Sequence, residues 1–170
     1  MKAAPVYLLL LALGAGPLAA STLEYAGQRL DLRAQARACY LGLFSLYDVD
    51  YFRETANSDE PTRCVRVSYL RQFSSAALDE ATLKVFAQRH GADVADRYRE
   101  ELARIGDVYE AVNPGDRYTY CVAEGGGAAL LRDGTPTLRL EYGDFARRFL
   151  QIWVSSDDDP ASPEWAFGSC

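Results

Sequence analysis

Ala38-Cys39-Tyr40-Leu41-Gly42-Leu43-Phe44-Ser45-Leu46-Tyr47 is apolar at odd and even positions alike. A strand built from this run would have both faces covered, which predicts a long central strand in a sheet. Everything around it carries shorter-range signals. Upstream, Thr22-Leu23-Glu24-Tyr25 and Arg29-Leu30-Asp31-Leu32 alternate on either side of Ala26-Gly27-Gln28, the pattern of a short hairpin. Downstream, Asp48 to Thr62 is polar, with a loop from Asn57 to Pro61, and Cys64 to Leu70 alternates again as a strand.

The period changes after Phe73. Leu78, Thr82, Val85 and Phe86 fall at helical spacing, with Asp79 and Glu80 expected in the first turn and Gly91 as the stop. A second helix is predicted from Val94, Tyr98, Leu102 and Ile105, ending at Gly106. Pro114-Gly115 then turns the chain into a strand alternating Tyr118, Tyr120 and Val122 with Arg117, Thr119 and Cys121. Two further strands, Ala128 to Leu131 and Thr137 to Glu141, flank the hairpin signal Asp133-Gly134. Asp144 is the expected cap of a third helix with Phe145, Phe149, Ile152 and Trp153 as its apolar stripe. Asp157 to Pro160 reads as a loop before a short turn at Pro163 to Phe167. This order predicts an α+β fold, helices layered on an antiparallel sheet.

Met1-Lys2, an apolar stretch from Tyr7 to Leu13, and the small residues before Ser21 have the order of a signal peptide over residues 1–20, leaving one domain over 21–170. The apolar core is far shorter than the roughly 20 residues a spanning helix needs, and no other stretch is apolar enough to span a bilayer, so no transmembrane segment is expected in the mature chain. Removal of Lys2 takes the net charge from −6 to −7, an acidic balance that disfavours nucleic acid as a partner. An exported chain with Cys39, Cys64, Cys121 and Cys170 is expected to form disulfides. Alternation puts Cys64 with Arg66 and Ser68, and Cys121 with Arg117 and Thr119, on outward faces; that favours Cys64–Cys121, leaving Cys39 and Cys170 paired or free.

No constellation announces chemistry. Gly125-Gly126-Gly127 lacks the helix and lysine of a phosphate loop and reads as a turn. His90, the single histidine, closes a helix where partial positive charge suits the dipole. Asp157 to Asp159 lacks the glycine and glutamate spacing of a calcium loop, and the cysteines fit no zinc pattern, so no metal is expected. Arg29, after a glycine turn, has a guanidinium suited to a ligand carboxylate; from local pattern alone a surface arginine in a hairpin is the better reading.

Gly27-Gln28-Arg29, Gly42-Leu43-Phe44, Val65 to Ser74, Gly115-Asp116, Asp133-Gly134, Gly143-Asp144-Phe145 and Ile152-Trp153, in this order and spacing, resemble the chalcone isomerase-like family in its small exported bacterial branch. The familiar Trp-Leu-Gly ending departs here to Trp153-Val154-Ser155. The resemblance implies an open-faced β-sandwich with a cleft between sheet and helices that takes a flat or elongated apolar molecule. In the ring-closing plant enzymes an arginine orients the substrate, and that position falls on Arg29. Their threonine falls on Cys39, tyrosine on Leu78, lysine on Ala81 and asparagine on Val85, and a later hydroxyl-bearing position becomes Ile152.

The polar machinery of an isomerase is therefore missing. Non-catalytic relatives are associated with fatty acids and, in mitochondrial members, with haem. The expectation is an exported, non-catalytic binder of an apolar carboxylate, with Arg29, Cys39, Phe44, Leu78, Phe149 and Ile152 as candidate ligand-binding residues. Haem is the second choice of ligand, since the mature chain has no methionine and offers His90, a tyrosine or Cys39 as axial donor. The alternatives are an intramolecular lyase or isomerase, and an envelope interaction protein with a vestigial cleft.

Overall fold

A computed structural model of the protein describes residues 22–55, 60–156, 164, 165, 167 and 170. The signal peptide expected over residues 1–20, the loop residues 56–59 and the acidic run 157–160 lie outside the described residues. Seven strands pair in chain order as one antiparallel meander: β1 (Thr22–Tyr25), β2 (Gln28–Tyr40), β3 (Phe44–Glu54), β4 (Arg63–Tyr69), β5 (Arg117–Ala123), β6 (Gly127–Arg132) and β7 (Thr135–Leu140). Three helices, α1 (Ser75–His90), α2 (Ala92–Arg97) and α3 (Arg99–Asp107), are inserted between β4 and β5. A fourth, α4 (Asp144–Leu150), follows β7. A small ribbon pairs β8 (Val154–Ser156) with β9 (Glu164–Trp165), and β9 lies where a turn was expected. No helix among the described residues is long and apolar enough to cross a membrane.

The apolar run that predicts a central strand is instead a hairpin. β2 ends at Tyr40, Leu41 to Leu43 turn, and β3 begins at Phe44, with Tyr40 opposite Phe44. Leu41 and Gly42 adopt φ of 52° and 69°, a left-handed pair that reverses the chain. Glycine takes this conformation freely, whereas for leucine it costs roughly 1–2 kcal/mol. The central strand is β4. The polar reading of Asp48 to Thr62 also gives way, because inside β3 Val49 and Tyr51 alternate with Asp48 and Asp50, Phe52 follows on the other face, and all three apolar residues are fully buried.

Alternation sorts the sheet into two faces. Tyr51, Val65, Tyr120 and Leu130 lie in register across β3 to β6 and meet Phe86, Leu102, Ile105, Phe145 and Phe149 from the helices in the main core. Burying each such side chain contributes about 1.5–3 kcal/mol. On the opposite face, Phe52, Cys64, Cys121 and Ala129 form the next row and join Tyr25 and Leu30 in a second, smaller cluster. Cys64 and Cys121 are paired as expected, yet their face is not outward: both are buried. The reason is the curl of the sheet. It brings the β1–β2 turn against the β5–β6 turn, where a Cβ on Gly126 would lie 2.8 Å from the Cβ of Ala26. Gly127, at φ 70°, leaves no room for a side chain beside the Leu140 carbonyl, 2.7 Å from where its Cβ would stand. The glycine run is the turn between β5 and β6, as expected, and at Gly126 and Gly127 close packing also requires the missing side chain. The second disulfide, Cys39–Cys170, fastens the C-terminus to β2.

Three helix expectations shift. Ser74 caps α1 by accepting from the Ala77 amide at 3.1 Å, so Asp79 and Glu80 fall beyond the first turn. The predicted second helix breaks at Tyr98 into α2 and α3. Gly143 occupies the cap position of α4, and the Asp144 carboxylate instead accepts from the Tyr98 hydroxyl at 2.8 Å and Arg148 at 2.6 Å. Ile152 and Trp153 lie in the turn after α4, still packed on the core.

Candidate functional site

Between α1 and the middle of the sheet lies a cavity of about 390 Å³. One wall is the α1 face that helical spacing puts together: Ala77, Leu78, Ala81, Thr82 and Val85. The opposite wall is sheet, with Leu46 and Tyr47 from β3 and Val67 and Tyr69 from β4. Phe73 follows β4, Tyr109 follows α3, and Ile152 and Trp153 follow α4, closing the remaining sides. The volume lies within the range of small-molecule sites, which are mostly apolar with a few placed polar groups.

Edge-on aromatic contacts build the floor: Tyr69 packs against Tyr47, Phe73 and Tyr118 with ring centroids 6.2, 5.8 and 6.4 Å apart, and Tyr109 meets Tyr118 at 5.4 Å. The polar groups are hydroxyls. Thr82 Oγ1 and the Tyr109 hydroxyl are buried 3.1 Å apart. Two hydroxyls carry two protons and their mutual bond uses one, leaving the other to donate to a ligand oxygen. Burial pushes the Tyr47 hydroxyl up to about 12 and those of Tyr69 and Tyr109 well above the ordinary value, so all three stay protonated donors at neutral pH. No Lys, Arg, His, Asp or Glu lines the cavity among the described residues.

The sequence-derived candidates separate. Leu78 and Ile152 line the cavity, and so do Ala81 and Val85, so all four stand in one apolar chamber. Phe149 is fully buried beneath it, stacked edge-on to Tyr120 at 4.8 Å and Trp153 at 5.5 Å. Cys39 is bonded to Cys170. Phe44 is half exposed at the β2–β3 turn, where the Arg71 guanidinium sits 5.9 Å from its ring. Arg29 is exposed on β2 opposite Glu24 and is not among the lining residues. His90 ends α1 as expected, but its ring reaches across to α4, Nε2 lying 2.9 Å from the Arg148 carbonyl, and packs on Phe86 at 4.7 Å. Burial lowers its pKa, which favours the neutral ring over a charge paired with the helix dipole.

Sequence reasoning missed Tyr47, Tyr69, Tyr109 and Trp153 as site residues. One signal was legible: Thr82 is the polar member of the α1 stripe, and a buried hydroxyl there requires a partner.

A search of curated proteins found no match. Among solved structures, the crystal structure of a fatty-acid binding protein of Arabidopsis thaliana superposes with a TM-score of 0.54 at 10% identity, over 80% of this chain and 90% of that one, a likeness of fold. The family model described as chalcone isomerase-like matches residues 21–162. With its curled seven-strand sheet, one-sided helical layer and the match over most of its length, this chain belongs to the chalcone isomerase-like family.

Proposed function

We propose that this protein is exported and holds an apolar carboxylate of the fatty-acid class, without chemistry, in the cavity between α1 and the sheet. The observation that carries the reading is the chamber itself: Leu78, Ala81, Val85 and Ile152 make its walls, and the Thr82–Tyr109 pair is its buried polar point. An acyl chain gains from such walls, and a carboxyl or carboxylate oxygen accepts from protonated hydroxyls. The fatty-acid binding protein that shares the fold supports the choice of ligand class. Two disulfides, Cys39–Cys170 and Cys64–Cys121, support export, together with the leader-like order of residues 1–20.

Anchoring passes in this reading from Arg29 to the Thr82–Tyr109 pair, since Arg29 does not line the cavity. Haem fits less well: the lining offers no histidine, cysteine or methionine, and its tyrosine hydroxyls are pushed away from ionisation. Displacement of a fluorescent fatty acid tests the reading. Wild type and Arg29→Ala are expected to bind alike, Tyr109→Phe about tenfold more weakly, as loss of one hydrogen bond implies, and Ala81→Trp not at all. Wild type that binds no fatty acid, or Ala81→Trp that binds normally, contradicts it. Turnover of a chalcone-like substrate would favour the isomerase reading instead.

A further inference from the structure

The tip of the β2–β3 hairpin is apolar where nothing in the fold asks for it. Tyr40, Leu41, Leu43 and Phe44 are 60, 74, 79 and 51% exposed, and among the described residues only Leu83 joins them as an exposed large apolar side chain. The turn's central residues, Leu41 and Gly42, have φ of 52° and 69°; Asp133 and Gly134 in the β6–β7 hairpin have 47° and 87°. Aspartate and asparagine suit the first of these positions, being soluble and tolerant of the left-handed region. Leucine is neither, so exposure and backbone conformation both argue against it on grounds of folding. Such departures from local rules mark function.

We propose that this tip docks the protein on a phospholipid bilayer by shallow insertion of Leu41 and Leu43. Its build suits that medium. The Leu43 amide donates to the Tyr40 carbonyl at 3.1 Å, so the turn enters with this hydrogen bond already made. The Cys39–Cys170 disulfide fixes the strand immediately behind the tip. One step further back Arg71 donates to the Ser45 carbonyl at 2.9 Å and lies over Phe44, a cation at the level of the headgroups. Arg37 and Asp48, the next charges along the hairpin, neutralise one another at 2.6 Å. A convex tip of four side chains cannot supply the roughly 800 Å² per partner of a stable protein interface, whereas at a membrane surface each apolar side chain contributes by the area it buries, which gives reversible docking. The strand that leaves the tip also lines the cavity with Leu46 and Tyr47, so docking brings the chamber close to acyl chains.

With a net charge of −6 in the full chain, insertion rather than electrostatic attraction must drive docking. Flotation with vesicles of phosphatidylcholine, and of phosphatidylcholine mixed with phosphatidylglycerol, tests this independently of what the cavity holds. The mature protein is expected to float with both, at least as well with the neutral vesicles. Leu41→Asn/Leu43→Ser is expected to lose about tenfold or more in vesicle affinity, with a melting temperature no lower than wild type because asparagine relieves the turn. Wild type that stays with the soluble fraction, a double variant that floats equally well, or a tip-dependent dimer in sedimentation velocity that the variant dissolves would each overturn the proposal.

Discussion

The two faces of one sheet do opposite jobs. The helix-covered face is aromatic and aliphatic, and its packing leaves a chamber whose polar groups are all neutral. The other face has no helical layer; beside a small apolar cluster around Leu30 and Phe52 it carries Arg66 to Asp50 at 2.7 Å, Gln35 to Asp50 at 2.7 Å, Arg37 to Asp48 at 2.6 Å, and the Cys64–Cys121 disulfide. The chamber under α1 is lined by apolar side chains and neutral hydroxyls, whereas the recess on the other face is lined by Gln35, Arg37, Asp48 and Asp50, polar groups that already pair with one another. An apolar ligand therefore suits the first face and not the second.

Substitutions on the two faces sharpen that contrast. Phe86→Ala, which empties a fully buried site between α1 and α4, is expected to cost about 4 kcal/mol in denaturant unfolding. On the other face, replacing both Cys64 and Cys121 by alanine opens a link between residues 57 apart and should cost about 3 kcal/mol. Equal stability of the disulfide variant and wild type would show that face to be held without its covalent link, by its ion pairs and the cluster around Leu30 and Phe52. Next comes Asp50→Ala, which leaves the largely covered Arg66 without its carboxylate and is expected to cost about 2 kcal/mol. Asp48→Asn, breaking the more exposed pair with Arg37, is expected to leave the melting temperature unchanged. A larger loss at Asp48 than at Asp50 would break the account of that face.

A further small effect concerns pH. His90 has a folded-state pKa below its unfolded value of about 6.5, because burial disfavours the charged ring. The folded state therefore binds the proton less readily than the unfolded one. Stability is full above the unfolded pKa and falls as pH drops through it, and His90→Gln should flatten that slope in a series of melts between neutral and mildly acidic pH.

Much of the molecule was readable in the chain. Alternation located β4 and β5, the Asp-Gly turn signal located the hairpin at Asp133-Gly134, and the Leu78, Thr82, Val85, Phe86 spacing located α1 and with it one wall of the chamber. The hairpin at Leu41 was misread for a physical reason. Turn signals rest on polar residues and glycine, and here leucines surround the glycine at a tip that the fold leaves in water. The opposite wall was missed because Tyr47, Tyr69 and Tyr109 come from three separate segments that only the closed fold brings together. Local patterning in each segment reports burial and says nothing of a shared cavity.

The central claim is that the α1 side of the sheet encloses a site for an apolar carboxylate. Native mass spectrometry of the mature protein mixed with a long-chain fatty acid tests it most directly. A 1:1 complex that forms with wild type and is lost in Ala81→Trp, the latter still folded by circular dichroism, is the predicted result. A wild-type spectrum showing only the bare chain, or a complex that survives unchanged in Ala81→Trp, would contradict it.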